Sequence, residues 1–297
     1  MASNTAPRWR RRLGYYVDQT LVYLFVAGLV TAILGPYLWM VISSISTQSE
    51  LLSVPPHWIP TEPTFQRYTA LIFGPQPGQN LPVATDKFTG ALLSSTVVST
   101  LSTLACIVFG SAAAYALTRL PFPGRRYFMI GVLGLQMLPI VVIIIPLYIF
   151  IQKLGLTDTW RGLILMYTGF LLPTVIWIMR GYFQTIPREL EEAALIDGCT
   201  RLGALVRVVL PISGPGLVAI ASFAFLSAWN EFFMALIFST NHAKTITVIV
   251  TEFSTQFGID YGLMTTGGVI GSLLPIVLAF ALQRYIVQGL TAGAVKA

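Results

Sequence analysis

The chain contains six long apolar stretches, and these constrain its fold more than any other feature. Each is close to the roughly 17–25 residues that an α-helix needs to cross the hydrocarbon core of a bilayer. The predicted spans are Leu21–Ser43, Gly90–Leu117, Tyr127–Ile151, Gly162–Met179, Gly214–Phe238 and Leu263–Ile286. Backbone polar groups in lipid must be bonded within the protein, so the sequence predicts an all-α membrane protein with six transmembrane helices.

The composition agrees with this prediction. Of the 297 residues, 55% are hydrophobic and 10% are charged, with a mean hydropathy of +0.74, whereas soluble domains contain about 25% charged residues. The first span follows a basic tail, as in a signal peptide. Its apolar stretch exceeds the roughly 7–15 residues of a signal peptide, so we expect the helix to be retained.

Basic residues predict the orientation of the spans. Residues 1–20 form a tail, 21–89 hold the first span and an external loop, 90–286 form a five-helix core with a loop at 180–213, and 287–297 form a second tail. With both termini in the cytoplasm, five of the 18 Lys and Arg residues lie outside: Arg67, Lys87, Lys153, Arg161 and Lys244. The positive-inside rule therefore predicts a multi-pass protein of the cell membrane with cytoplasmic termini. The same bias explains the net charge of +6 without a nucleic-acid partner.

One polar block interrupts the apolar chain, between Pro187 and Pro211. It matches the pattern EAA-x3-G-x9-[IV]-x-LP, with the EAA at residues 192–194. Pro187 can begin a helix, because the first N–H groups of a helix have no internal partner. Gly198 favours a left-handed end to that helix. An ordinary capped loop helix would show each feature singly, whereas the joint match on the predicted cytoplasmic side resembles the coupling loop of ATP-driven importer permeases, which implies a helix that couples the membrane domain to an ATPase.

Eight residues of this block are predicted to carry the coupling. Leu190, Ala193, Ala194 and Asp197 share one face of the predicted helix by their spacing, and the alanines would let a partner approach closely. The predicted coupling residues are Glu191, Glu192, Ala193, Ala194, Asp197, Gly198, Leu210 and Pro211.

From about Gln19 onward, the chain resembles the carbohydrate-type ABC importer permeases of the MalG kind. Besides the polar block, the resemblance rests on IPTEPTFQRY (59–68), the stretch 136–165, AWNEFFMALIF (228–238) and the tail 283–297. It implies the type I ABC importer permease fold with a cytoplasmic coupling helix. It also implies a permease subunit that forms half of the translocation path for a sugar or oligosaccharide.

The resemblance further implies partners that supply what this chain lacks. They are a second, MalF-like permease subunit, two nucleotide-binding ATPase subunits and an extracytoplasmic solute-binding protein, with ATP and Mg²⁺ bound at the ATPase. The C-terminal tail is expected to contact that ATPase through Gly289, Leu290, Thr291, Gly293 and Lys296. None of the four lysines follows a glycine, so the GK of a P-loop is absent and the chain is predicted not to be an enzyme.

No cofactor or metal site is predicted on this chain. Cys106 and Cys199 fall on different levels of the predicted topology, and His57 and His242 fall in separate outer loops. These positions support neither a disulfide framework nor a cluster of metal ligands.

Trp229, Asn230, Glu231 and Ser99 are the candidates for the translocation path. Glu231 is the only carboxylate within a predicted span, where an ionisable group is costly. It either lines the path or is hydrogen-bonded between helices. The second span also carries hydroxyl groups at helical spacing, which either bind a sugar or pack helices together. They belong to Ser95, Ser99, Ser102, Thr96, Thr100 and Thr103.

Two other functions stay open at this point. An ion-coupled secondary transporter needs intramembrane charges at broken helices; Glu231 alone is thin support for it, and it leaves the polar block unexplained. A glycerol-phosphate permease of the ABC class would be expected to hold cations in its path. No Lys or Arg lies in the middle of a predicted span, which favours a neutral sugar.

Overall fold

The computed structural model describes residues 8–55, 57–77, 81–255 and 258–294, with side chains between residues 18 and 285. The first helices are α1 (Arg8–Ile45), α2 (Gln48–Leu51), α3 (Gln66–Phe73), α4 (Phe88–Arg119), α5 (Arg125–Leu135), α6 (Ile140–Lys153) and α7 (Trp160–Phe183). The others are α8 (Arg188–Ile196), α9 (Arg201–Ala204), α10 (Leu210–Ile212), α11 (Gly214–Trp229), α12 (Phe233–Phe238), α13 (Ile246–Thr251) and α14 (Tyr261–Ala294). A 3-10 turn covers Val83–Thr85, a π-helix covers Leu205–Val209, and strands β1 (Ser254–Thr255) and β2 (Gly258–Ile259) pair antiparallel.

Single helices and bent pairs of helices make up the membrane-length segments. By length and composition α1, α4, α7 and α14 could each cross a membrane. The pair α5–α6, bent by 94°, and the pair of Arg201–Ile212 with α11, bent by 85°, pass the same test together. The described residues therefore hold four to six spans, and the predicted all-α membrane fold is confirmed.

The third predicted span, Tyr127–Ile151, is not one helix. Helix α5 ends at Leu135, and α6 begins at Ile140 directly after Pro139. Proline has no N–H group and disfavours the helical conformation of the residue before it. The sharp bend therefore falls where the sequence cannot continue a helix.

The fifth predicted span, Gly214–Phe238, is interrupted as well. Helix α11 ends at Trp229 and α12 begins only at Phe233. The carboxylate of Glu231 accepts hydrogen bonds from the backbone N–H groups of Met234 (2.9 Å) and Ala235 (3.1 Å). The first N–H groups of a helix need such acceptors, so Glu231 allows a new helix to start inside the apolar stretch.

Helices α4, α7 and α11 form the centre of the bundle. α4 packs along both α7 and α11, α11 also packs along α14, and α14 packs against α1. α4 and α7 approach each other closely at Gly110, because a Cβ atom there would lie 2.8 Å from Cγ1 of Val175. Buried side chains of α4, α7, the π-helix and α11 then form one core cluster near α8.

Helix α1 joins this bundle over only part of its length. Residues 20–34 are exposed on every face of the helix. The contacts with α14 come later in α1, for example a hydrogen bond of 3.2 Å between Tyr37 Oη and Ser272 Oγ.

The segment 59–68 closes the end of the bundle that lies opposite α8. Arg67 Nη1 donates a hydrogen bond of 2.5 Å to the carbonyl of Ser46, after the end of α1, and its Nε lies 3.8 Å from Asp260 Oδ1, before the start of α14. The hydroxyl groups of Tyr68 and Ser44 share a hydrogen bond of 2.6 Å. Arg67 and Tyr68 therefore tie the segment 59–68 to α1 and α14.

Candidate functional site

The candidate coupling segment comprises residues 187–211 and begins with α8. This helix starts after Pro187 and is followed by Gly198, whose φ angle is +88°. The N–H group of Cys199 donates to the carbonyl of Ala194 (3.0 Å), and the N–H of Gly198 donates to that of Leu195 (3.1 Å). These two bonds form a Schellman cap, so the helix predicted between Pro187 and Gly198 is confirmed.

The second half of the coupling segment connects α8 to the bundle. The Thr200 hydroxyl caps α9 by accepting a hydrogen bond of 3.1 Å from the N–H group of Gly203. The π-helix and α10 follow, and the chain then bends by 85° into α11. π-Helical turns occur often at functional sites, and this one lies among the predicted coupling residues, between Gly198 and Leu210.

The exposed face of the coupling segment combines acidic and large apolar side chains. Five predicted coupling residues lie on it: Glu192, Ala193, Asp197, Gly198 and Pro211. Large apolar residues of the same segment are exposed by 86% at Ile196, 67% at Leu202, 54% at Val206 and 44% at Leu190. A set of exposed apolar side chains rimmed by polar residues marks a protein contact.

The other three predicted coupling residues turn toward the bundle. Glu191 and Ala194 are buried, and the half-buried Leu210 packs against the core cluster. The prediction that Leu190, Ala193, Ala194 and Asp197 form one docking face is therefore wrong at Ala194. Helix α8 uses that side to pack against its own chain.

A buried polar cluster holds Glu191 in place. Its Oε2 lies 2.9 Å from Nε of Arg119, and its Oε1 accepts a hydrogen bond from the Tyr115 hydroxyl. Nη2 of Arg119 also donates a hydrogen bond of 2.9 Å to the carbonyl of Ile186. Tyr115 and Arg119 were missed from the sequence, although a basic residue at the end of the second predicted span was a signal for a carboxylate nearby.

Glu231 is held by hydrogen bonds inside the bundle. Besides the two bonds to α12, its carbonyl accepts a hydrogen bond of 2.8 Å from the Thr247 hydroxyl. These bonds agree with the hydrogen-bonded interpretation of Glu231, and its place in the translocation path stays a prediction.

Trp229 and Asn230 line a cavity of about 590 Å³ between α1, α11, α13 and α14. The indole N–H of Trp229 donates a hydrogen bond of 3.2 Å to the carbonyl of Gly271. Other polar and aromatic side chains of the lining belong to Tyr37, Phe232, Thr247, Thr251 and Ser272. This cavity brings together two of the four candidates for the path.

The hydroxyl groups of α4 divide into two sets. Ser95, Ser99 and Ser102 are buried, and Ser95 Oγ accepts a hydrogen bond of 2.8 Å from the N–H group of Ile246. The threonines instead line a second cavity of about 310 Å³ among α4, α11 and α14, at Thr96, Thr100 and Thr103. Ser99 is therefore buried and lines neither of these cavities, so its place in the translocation path stays a prediction.

The residues of the predicted C-terminal contact fall at or beyond the end of the description. Helix α14 continues to Ala294, so it contains Gly289, Leu290, Thr291 and Gly293, whose side chains lie outside the described ones. Lys296 lies outside the described residues altogether. Within the described part of the chain, no three His, Cys, Asp or Glu residues are grouped as metal ligands.

A carboxylate clamp, defined as Asp158 with residues 240–243, lies at the end opposite α8. The carboxylate of Asp158 accepts hydrogen bonds of 3.0–3.1 Å from four consecutive backbone N–H groups, those of Thr240, Asn241, His242 and Ala243. Burial alone would raise the pKa of Asp158. The four hydrogen bonds outweigh that effect and lower its pKa to about 2.

Membrane-length helices that carry a capped helix with exposed apolar side chains are typical of a membrane protein that contacts a further subunit. The chain belongs to the family of binding-protein-dependent transport system inner membrane components, whose model matches residues 106–292. It is therefore an ABC importer permease, a multi-pass protein of the inner membrane and a transport component rather than an enzyme. Members of this family work with a second permease, an ATPase and a binding protein.

Individual relatives cover almost the whole chain. The trehalose/maltose transport system permease MalG of Thermococcus litoralis is 35% identical over 279 residues, 93% of this chain and 96% of that protein. The diacetylchitobiose uptake system permease DasC of Streptomyces coelicolor is 33% identical over 278 residues, 93% of this chain and 95% of that protein. A bacterial ABC transporter that imports the acidic polysaccharide alginate shares the fold, with a TM-score of 0.71 at 20% identity over 95% of this chain and 99% of that one.

Proposed function

We propose that the chain forms half of the translocation path for a sugar or oligosaccharide, and that its coupling segment docks onto a separate ATPase. The observation that carries the coupling is the exposed face with Glu192 and Asp197 beside Ile196 and Leu202. Outside the lipid, such a set of apolar side chains needs a protein partner. The docking residues are then Glu192, Ala193, Asp197, Gly198 and Pro211, whereas Glu191, Ala194 and Leu210 position them.

The cargo is proposed to be a neutral sugar. Two relatives bear the names of transporters for trehalose/maltose and for diacetylchitobiose. The cavity at Trp229 and Asn230 offers an aromatic ring, an amide and the hydroxyl groups of Thr247 and Ser272. These groups suit a polyol. A phosphorylated cargo would require cations, and no Lys or Arg among the described residues lines either cavity.

The structure favours ATP-driven transport over coupling to an ion. Glu231 would be the ion-coupling group of a secondary transporter, but its carboxylate is bonded to the first N–H groups of α12. In the proposed assembly a second, MalF-like permease completes the path, and two ATPase subunits bind ATP and Mg²⁺. A solute-binding protein delivers the sugar from outside.

The proposed orientation places both termini and α8 in the cytoplasm, because most basic residues lie on that side. Helix α14 would then point its C-terminal end toward the ATPase. We therefore keep Gly289, Leu290, Thr291, Gly293 and Lys296 as proposed ATPase contacts.

The test is capture of the ATPase by the tagged chain in mild detergent, with Ile196→Asp as the main variant. Ile196 is 86% exposed, so the change places a charge on the docking face and leaves the core of the bundle intact. Phe122→Asp is the matched control, because Phe122 is 40% exposed in the loop between α4 and α5. We expect capture to fall by about ten-fold or more in Ile196→Asp, as for a charge at the centre of an interface.

The controls decide what each result means. Gly198→Asp is expected to act like Ile196→Asp, because it adds a charge to the same face. Equal capture by the wild type, Ile196→Asp and Gly198→Asp would contradict docking through the coupling segment. A wild-type chain that captures no ATPase and transports alone would contradict the whole proposal.

A further inference from the structure

The coupling segment has an inner face, and its role differs from docking. Glu191 is 5% exposed, so it cannot reach a partner protein, and Arg119 is buried with it. Both charges therefore interact with groups of their own chain. Stability alone is a weak reason, because burying an ion pair costs about as much in desolvation as the attraction returns.

Arg119 fixes the start of α8 at two points. Its Nε meets the Glu191 carboxylate (2.9 Å), and its Nη2 donates to the carbonyl of Ile186 (2.9 Å). These two points lie on either side of Pro187, where α8 begins. Because a guanidinium is planar and rigid, the two contacts set the direction of α8 as well as its position.

Tyr115 adds a third contact, from one turn earlier in α4. Its hydroxyl donates to Glu191 Oε1, while Arg119 meets Oε2, so each carboxylate oxygen has its own partner on α4. Residues 115 and 119 lie four positions apart on one face of the helix. Both oxygens of the carboxylate are therefore bound to the last two turns of α4.

Helix α4 leads from this attachment to the centre of the bundle. It packs along α7 and α11, with α7 in close contact at Gly110. Its threonines also line the 310 Å³ cavity, at Thr96, Thr100 and Thr103. A displacement of α8 that α4 must follow would therefore reach that cavity.

We infer that the transmission cluster, defined as Tyr115, Arg119 and Glu191, passes the movement of the coupling helix to α4 and so to the Thr96–Thr100–Thr103 cavity. These are positioning residues that act through α4. The inference rests on the proposed docking of α8 to an ATPase. It adds α4 as the element that carries the movement of α8 into the bundle. A route of this kind needs a direct measurement of coupling.

The experiment measures the response of α4 to nucleotide in the assembled complex. Thr100, which is exposed to the cavity, is changed to cysteine in a Cys199→Ser background, while Cys106 stays buried. The rate of labelling with N-ethylmaleimide at position 100 is measured with and without Mg-ATP and vanadate. Capture of the ATPase is measured on the same samples.

Four variants of the transmission cluster and one control variant are compared in that background. Glu191→Gln removes the ion pair but leaves Arg119 its bond to Ile186 and an amide oxygen. Tyr115→Phe removes a single hydroxyl group, Arg119→Gln removes the guanidinium, and Arg119→Lys restores the charge. Arg126→Gln is the matched control, because Arg126 is an exposed arginine on the first turn of α5.

We expect Glu191→Gln to capture the ATPase like the wild type. The change in labelling rate that nucleotide causes should be smaller in this variant by about five-fold or more, a typical size of coupling between sites. Arg119→Lys should recover part of what Arg119→Gln loses, and Arg126→Gln should behave like the wild type.

Three results would overturn the inference. One is an unchanged nucleotide response in Glu191→Gln and Tyr115→Phe. Another is loss of ATPase capture in proportion to the response, since that indicates docking or folding alone. A third is an equal loss in Arg126→Gln. If the wild-type chain, with Cys199 in place, captures no ATPase, the proposed function fails instead, so the two failures are distinguishable.

Discussion

At one end of the bundle Glu191 pairs with the guanidinium of Arg119, whereas at the opposite end Asp158 is held by four backbone N–H groups. Both are carboxylates that hold a connecting segment in place. They differ in what they attach. Glu191 links a helix to the side chains of one span, and Asp158 links a loop after α12 to the loop before α7.

The two ends of the bundle differ in which groups their carboxylates bind and in what they leave exposed. At the end opposite α8, carboxylates satisfy backbone groups of the same chain, since Glu50 likewise accepts bonds from Thr47 and Thr61. These loops are therefore held by carboxylates of their own chain. At the α8 end, one helix face is fixed by side chains and the other exposes Ile196 and Leu202. The α8 end is therefore built as a helix that is held on one side by its own chain and exposed on the other.

The largest effect is expected from Arg119→Met at the α8 end. This change leaves the Glu191 carboxylate buried without its cation, which costs about 3 kcal/mol or more. Thermal unfolding in detergent measures the loss. Adding Glu191→Gln to Arg119→Met should recover part of it, because the buried charge is then gone. No recovery in the double variant would contradict the buried ion pair.

A smaller loss is expected from Asp158→Ala at the opposite end. It leaves the N–H groups of residues 240–243 without their acceptor, at a cost of about 2 kcal/mol, typical of hydrogen bonds to a charged group. Asp158→Asn is the control, because it keeps one acceptor oxygen and tolerates the φ angle of +53°. Limited proteolysis at residues 240–243 should rise in Asp158→Ala first. Equal cleavage in both variants would contradict the clamp.

The pH dependence of the clamp follows from the lowered pKa of Asp158. Its folded value of about 2 lies below the ordinary 3.8, so the ionised form favours the folded state. This stabilisation is complete above about pH 4 and is lost as the pH falls toward about 2. The gap in melting temperature between the wild type and Asp158→Asn should therefore narrow over that range. Glu50 is present in both proteins and cancels, so a constant gap would contradict the prediction.

The smallest effect on stability is expected from alanine at two left-handed glycines, one at each end. Gly198 has φ +88° and Gly155 has φ +66°, and neither Cβ would meet a neighbour. Each change to alanine should cost about 1 kcal/mol through the backbone alone. The two should differ in capture of the ATPase, which only Gly198→Ala should weaken. Equal capture would indicate that the shape of the α8 cap is irrelevant to docking.

Local signals in the sequence predicted the start and end of α8, because Pro187 and Gly198 act through their own backbones. The apolar stretches predicted the spans for the same reason, since hydropathy is a property of each segment. The 94° bend between α5 and α6 at Pro139 depends on how these two helices pack, which no single residue records.

The sequence did not predict which side chains of α8 are buried and which are exposed. Glu191 and Glu192 are neighbours in the same motif, yet one is buried and the other exposed. What separates them is a tyrosine 76 positions away along the chain and the arginine that follows it by one turn. The sequence likewise left two interpretations of Glu231, because the N–H groups that it caps exist only once α12 has started a new helix.

The exposure of α1 has a consequence for how its sequence can vary. Residues 20–34 are exposed on every face, so this half of the helix must match the thickness and the apolar character of the bilayer. It does not need to fit the shape of a neighbour within its own chain. Exchanges among Leu, Ile, Val and Phe there should leave the fold of this chain unchanged, whereas the same exchanges at Val175 or Met179 would disturb a close-packed core.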